Sequence, residues 1–131
     1  MKVIFFLNTS QEDESMEIFS FPDVIIEDER VESEHFTEAE YFLMSLDSVN
    51  AASEMLEIIN FYNEQSMLSL TEIKASENVK AIIYEQFIAF KRITSSKFDN
   101  EISLDIFLNI LLKWKDYLLI GDKAEVVFEI N

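Results

Sequence analysis

The chain has 131 residues, with 26 Asp plus Glu against 10 Lys plus Arg, one His, one Gly, one Pro and no Cys, for a formal net charge of −16. Hydrophobic residues make up 49 %, with 12 Phe among them, which suits one globular domain over residues 1–131 with an ordinary core. This composition excludes disulfide scaffolds, cysteine nucleophiles and thiolate metal sites, and the charge opposes direct binding of nucleic acid or of an anionic membrane surface.

Lys2 to Leu7 is β-branched and aromatic and reads as a buried strand. Its apolar run is too short for a signal peptide or a membrane span, so a cytoplasmic location is expected. Asn8 to Ser15 is polar and reads as a turn or loop. Met16 to Phe21 alternates as a second strand, Pro22-Asp23 breaks it, and Val24-Ile25-Ile26 is a short third strand.

Phe36-Thr37-Glu38-Ala39-Glu40-Tyr41 carries the sharpest local signal. Thr37 suits a helix N-cap, with Glu40 three residues on to complete a capping box and Phe36 and Tyr41 at the staple positions. Ala39, Phe42, Leu46, Val49, Ala52, Leu56 and Ile59 then form one helical stripe from about 38 to 64. Asp47-Ser48 could interrupt it, which leaves one long helix or two short ones open.

Ser66 to Lys74 is ambiguous. Ser76 is expected to open a second helix, with Val79, Ile83, Phe87 and Phe90 on one face and Thr94-Ser95-Ser96 at its end. A third is expected from near Ser103 to about Leu119. Leu104, Leu108, Leu111 and Leu118 form its stripe, and Phe107, Ile110, Leu112 and Trp114 make it apolar on nearly every side, as in a central helix. Gly121 suits the position just past its end, with Lys113 and Lys115 at its negative terminus. Ala124 to Ile130 closes the chain as a strand, with Val126, Phe128 and Ile130 on one face. The expected fold is α+β, with helices packed on one face of a small, mainly antiparallel sheet.

The charge is lopsided. Residues 1–73 hold 17 acidic and two basic residues, a net of −15, whereas residues 74–131 hold nine and eight, a net of −1. Packed carboxylates repel one another, and a partner with a basic face would relieve that repulsion. The candidate partner-binding carboxylates are Glu12, Asp13, Glu14, Glu27, Asp28, Glu29, Glu32, Glu34, Glu38 and Glu40. Tyr41, Phe61 and Tyr62 flank carboxylates in the same half and are candidate interface anchors.

Catalytic and metal-binding patterns are not found. His35 is the only imidazole, so two-His zinc sites cannot be assembled, and it reads as an ordinary residue near a helix start. Gly121 does not stand in a calcium loop, and no Gly-rich phosphate loop exists. No pair of carboxylates stands out for acid–base work. The expectation is a binding protein with no cofactor, no metal and no catalytic residue.

In size, acidity and lack of a catalytic motif, the chain resembles the immunity proteins of bacterial toxin systems, including those of contact-dependent growth inhibition. The resemblance implies a cytoplasmic protein that holds one toxin domain in a one-to-one complex and has no activity of its own. A nuclease toxin, with its Lys/Arg-rich cleft, would be the basic partner. The alternative is a DNA mimic of anti-restriction or anti-CRISPR type, against which the near-neutral second half argues. An acidic secretion chaperone would typically begin with a helix rather than a strand.

Overall fold

The computed structural model describes residues 1–11, 18–64, 71–74, 76, 78–120 and 124–130, with the side chains of residues 10, 11, 18, 19, 33 and 34 left aside. The elements run β1 (Lys2–Gln11), β2 (Ile18–Glu27), a 3-10 turn (Ser33–Phe36), α1 (Thr37–Ser45), α2 (Val49–Glu64), β3 (Thr71–Lys74), β4 (Val79–Tyr84), β5 (Phe87–Arg92), β6 (Ile102–Ser103), α3 (Leu104–Leu119) and β7 (Val126–Glu129). The fold is α+β. Its strands divide between two antiparallel sheets, of order β2-β1-β7 and β3-β4-β5-β6.

The opening hairpin is longer than its polarity pattern indicates. β1 and β2 pair from Lys2↔Glu27 to Gln11↔Ile18, so Asn8–Gln11 belongs to a strand rather than a loop. Pro22 does not break β2, and Val24–Ile26 is the end of that strand, not a third one. The reason is the position of β2 at the rim of its sheet. The Val24 amide turns outward to Asp23 Oδ1 at 2.7 Å, and the Ile26 amide to Glu40 Oε2 at 2.8 Å. By the alternation of a strand, Pro22 occupies the same outward register, where a missing N–H costs no ladder bond. The expected strand start at Met16 lies outside the described residues.

Two helices, not one, follow. Ser48 separates them, its Oγ accepting the Ala51 amide at 3.1 Å at the start of α2. The carbonyl of Leu46, freed at the break, accepts the indole N–H of Trp114 at 2.8 Å. The start of α1 differs from the expected capping box. Phe36 holds the N-cap position without a side-chain cap bond, and Thr37 is already helical. Asp99 Oδ2 instead accepts the amides of Glu38 and Ala39, at 2.7 and 3.1 Å. Glu40 reaches away from its own helix to β2.

The segment expected as a second helix from Ser76 is the hairpin β4–β5. Its central strands are apolar on both faces: Ala81, Ile83, Ile88 and Phe90 enter the core, and Ile82 and Ala89 are buried on the opposite face. Strands of that kind read as continuous apolar runs, and Val79, Ile83, Phe87 and Phe90 happen to match a helical period. The turn, Glu85-Gln86, contains neither Gly nor Asn, and Glu85 takes φ 51°.

α1 bridges the two sheets, packing Ala39, Phe42 and Leu43 against β2 on one side and β4 and β5 on the other. α3 is central as expected, touching β1, β5, β6 and α2. Phe5, Trp114, Tyr117 and Phe128 form one ring cluster with α3, and Phe42, Phe90 and Phe107 form another. Leu112 and Leu119 of α3 are nonetheless exposed. Gly121 lies outside the described residues, as do Ser66–Leu70 ahead of β3. Among the described residues no helix is long and apolar enough to cross a membrane.

Candidate functional site

Among the described residues the predicted carboxylates divide between some held by bonds within the fold and some exposed to solvent. Glu12, Asp13 and Glu14 lie outside the described residues, and so does the side chain of Glu34. Glu27 ends β2, half-buried and directly across from Lys2. Asp28 is held by Arg30, whose backbone N, Nε and Nη2 all donate to its carboxylate at 2.9–3.1 Å. Those bonds hold the Asp28 carboxyl at about 2, and the charge is answered within the chain. Glu29 and Glu32 are exposed, and Glu32 stands 3.9 Å from His35 Nε2. His35 is itself exposed, with Nδ1 3.1 Å from the Asn100 amide nitrogen.

Glu38 and Glu40 are spent on the fold. Glu38 is 15 % exposed and pairs with Arg92 Nε at 2.9 Å. Its second oxygen is buried with no hydrogen-bond partner among the described residues. Glu40 binds the Ile26 amide from a half-buried position. Burial pushes its carboxyl up to about 7, the Ile26 amide opposes this, and the charges of Asp23, Asp99 and Glu27 reinforce it. Asp99 is pushed up to about 6, again by burial first, against its two backbone hydrogen bonds. Asp99 thus secures the start of α1, Glu38 ties that start to Arg92, and Glu40 ties the helix to β2.

The aromatic candidates separate as well. Tyr41 is exposed, with the Arg92 guanidinium 5.4 Å over its ring. Phe61 is 57 % exposed. Tyr62 is half-buried against the core and meets Phe61 edge to face, with ring centroids 5.8 Å apart. Tyr62 thus props Phe61 outward from α2.

Around Phe61 the structure assembles a surface that the sequence reading passed over. α2 buries Ala52, Met55 and Ile59 toward α3. Its opposite face exposes Glu54, Glu57, Ile58, Phe61 and Glu64, and the helix has no basic residue. Steps of three and four bring these five side chains onto one stripe. The signal in the sequence is the helical spacing of Glu54, Glu57, Phe61 and Glu64, which is sparser than the charge before residue 41. Two exposed apolar groups ringed by carboxylates suit contact with a basic protein surface: the apolar groups supply burial and the charges supply steering.

Among the described residues no group of three or more His, Asp or Glu is placed to hold a metal ion. The shallow cavities are lined by ordinary surface residues, such as Tyr41, Ser45, Asn78 and Arg92 in one and Lys2, Glu27, Asp28 and Glu129 in another. No protein-family model, no curated protein and no solved structure matches the chain.

Proposed function

We propose that this chain is an immunity protein: a binding inhibitor that holds a basic nuclease toxin in a one-to-one complex in the cytoplasm and has no catalytic activity of its own. One observation carries the reading. In a chain of net charge −16, the exposed face of α2 carries three carboxylates with Ile58 and Phe61 among them, and the helix itself has no basic residue. A nuclease must keep a Lys/Arg-rich cleft open for its substrate, and such a face offers that cleft a competing anion with an apolar anchor. Glu29 and Glu32, exposed after β2, add to the steering field.

The test is capture of the tagged chain from its source cells, followed by activity assay of what it holds. The expected result is one basic partner in equimolar amount, released by high salt, whose cleavage of RNA or DNA stops on addition of one equivalent of the chain. Recovery of a restriction or nucleoid component, displaced by duplex DNA of any sequence, would replace this reading with DNA mimicry. A homodimer holding an unfolded segment would replace it with a chaperone role.

A further inference from the structure

The three-stranded sheet has two rims of opposite character. The rim at β2 is closed: position 22 is Pro, the Val24 amide is taken by Asp23, and the Ile26 amide by Glu40. The rim at β7 is open. Met1 and Ile130 exchange both backbone bonds, at 2.8 and 3.0 Å, so alternation turns the amides of Val126 and Phe128 toward β1 and those of Val127 and Glu129 outward. Among the described residues nothing bonds to that outward edge. The other sheet offers less. Its rim strand β6 has two residues, and its rim strand β3 carries Lys74 and a Glu72 tied to Lys80 at 3.1 Å.

The face of this sheet turned away from the helices shows what the open rim lacks. Cross-strand register puts Ile25, Ile4 and Val127 in one row and Glu27, Lys2 and Glu129 in the next. The first row is apolar and ends in Val127, which is 50 % exposed. The second alternates in sign and ends in an exposed carboxylate. A further strand would continue both rows, with an apolar residue beside Val127 and a cation beside Glu129.

We infer that the outer edge of β7 accepts an added antiparallel strand from a protein partner, and that this strand carries Lys or Arg opposite Glu129 and a β-branched or other apolar residue opposite Val127. This rests on the immunity reading only for the partner's identity. Main-chain bonds would supply the attachment and the two rows the selectivity. In the register that aligns the apolar row, a second copy of this chain does not fit. Pairing Val127 with its own copy would set Glu125 against Glu129 twice, and like charges directly opposite are destabilising. The net charge of −16 on each chain adds to that repulsion.

The probe is a synthetic peptide, Thr-Lys-Thr-Val-Thr-Lys-Thr with blocked ends, added to the full chain and followed by backbone amide NMR and hydrogen exchange. The amides of Val127 and Glu129 are expected to shift and gain protection. Glu129→Lys should weaken that peptide about three- to ten-fold and strengthen the version with Glu in place of Lys. Glu129→Lys also sets a second cation across from Lys2. Glu129→Gln, which removes the carboxylate without that repulsion and should weaken the peptide in the same direction by a smaller factor, is therefore run beside it, and the unchanged remainder of each spectrum would verify the fold. The inference is overturned if the amides of Val127 and Glu129 are already protected in the free chain. It is also overturned if the peptide shifts only α2 or residues 29–32, or if a peptide with Val and one Lys exchanged binds equally well. A captured basic nuclease whose affinity ignores Glu129→Lys would refute the edge and leave the immunity reading standing. Peptide order on β7 with no nuclease partner would do the reverse.

Discussion

Glu40, on α1, accepts the amide of Ile26 from the rim strand of the three-stranded sheet at 2.8 Å. One carboxylate thereby closes a sheet edge and ties the bridging helix to it. Because burial raises this carboxyl, the folded chain holds its proton more tightly than the unfolded chain, whose value is 4.5. The stabilisation associated with that proton is complete below about 4.5 and is lost as pH rises through about 7. Glu40→Gln keeps an acceptor and removes the charge. It should stabilise the chain at pH 8 by about 1–2 kcal/mol, the site being partly screened by solvent, and flatten the pH dependence. Urea unfolding at pH 5 and pH 8 measures both, and an undiminished pH difference in the variant would count against this account. Glu40→Ala removes the acceptor too and should cost about 1–3 kcal/mol at pH 5.

Asp99 caps α1 from 60 residues away. Asp99→Ala should cost about 1–2 kcal/mol and speed exchange of the Glu38 and Ala39 amides, whereas Asp99→Asn, which keeps an oxygen acceptor, should lose less than half of that. Equal losses in the two variants would show that the cap bonds are not what Asp99 contributes.

Trp114 is the only Trp, fully buried, and its indole N–H satisfies the Leu46 carbonyl at the α1–α2 break. Native emission should therefore be blue-shifted and resistant to iodide. Trp114→Phe should cost about 2–4 kcal/mol, from the stranded carbonyl and the space left behind. Circular dichroism against urea gives the figure, and a loss below 1 kcal/mol would show that water replaces the donor.

Glu85 takes φ 51° in the two-residue turn between β4 and β5, a conformation that Cβ disfavours. Glu85→Gly should raise stability by about 0.5–1 kcal/mol despite the added flexibility of the unfolded chain. A shift of the urea midpoint in the opposite direction would refute it.

For the partner contact, Glu54→Lys with Glu57→Lys should slow association several-fold at low salt and much less at high salt, with stability changed by less than about 0.5 kcal/mol. Phe61→Ala should act chiefly on dissociation. Association kinetics with the captured partner separate the two effects. If both variants match the parent, the α2 face is not the contact.

The local content of the chain was legible from its residues. The first and last strands and the helix over 104–119 follow from β-branched runs and apolar spacing, which act within a few residues of themselves, whereas Asp47-Ser48 left one helix or two open and the structure decided for two. The hairpin β4–β5 was not legible, because a strand apolar on both faces carries no period of two and its turn carries no Gly or Asn. Nor was the role of the acidic residues. By sequence Glu38 and Glu40, in the densest charge of the chain, were the candidates for a partner, and Glu54 and Glu57, also set on a helix, were not. Only the packing of α1 between two sheets turns the first pair inward to Arg92 and Ile26, while the position of α2 on α3 leaves the second pair in solvent. Charge and apolar content thus determined that this is an acidic chain with an ordinary apolar core. Which carboxylates remain free to meet a partner was decided by contacts between segments remote in the chain, since desolvation and hydrogen bonding depend on what a folded neighbour brings near.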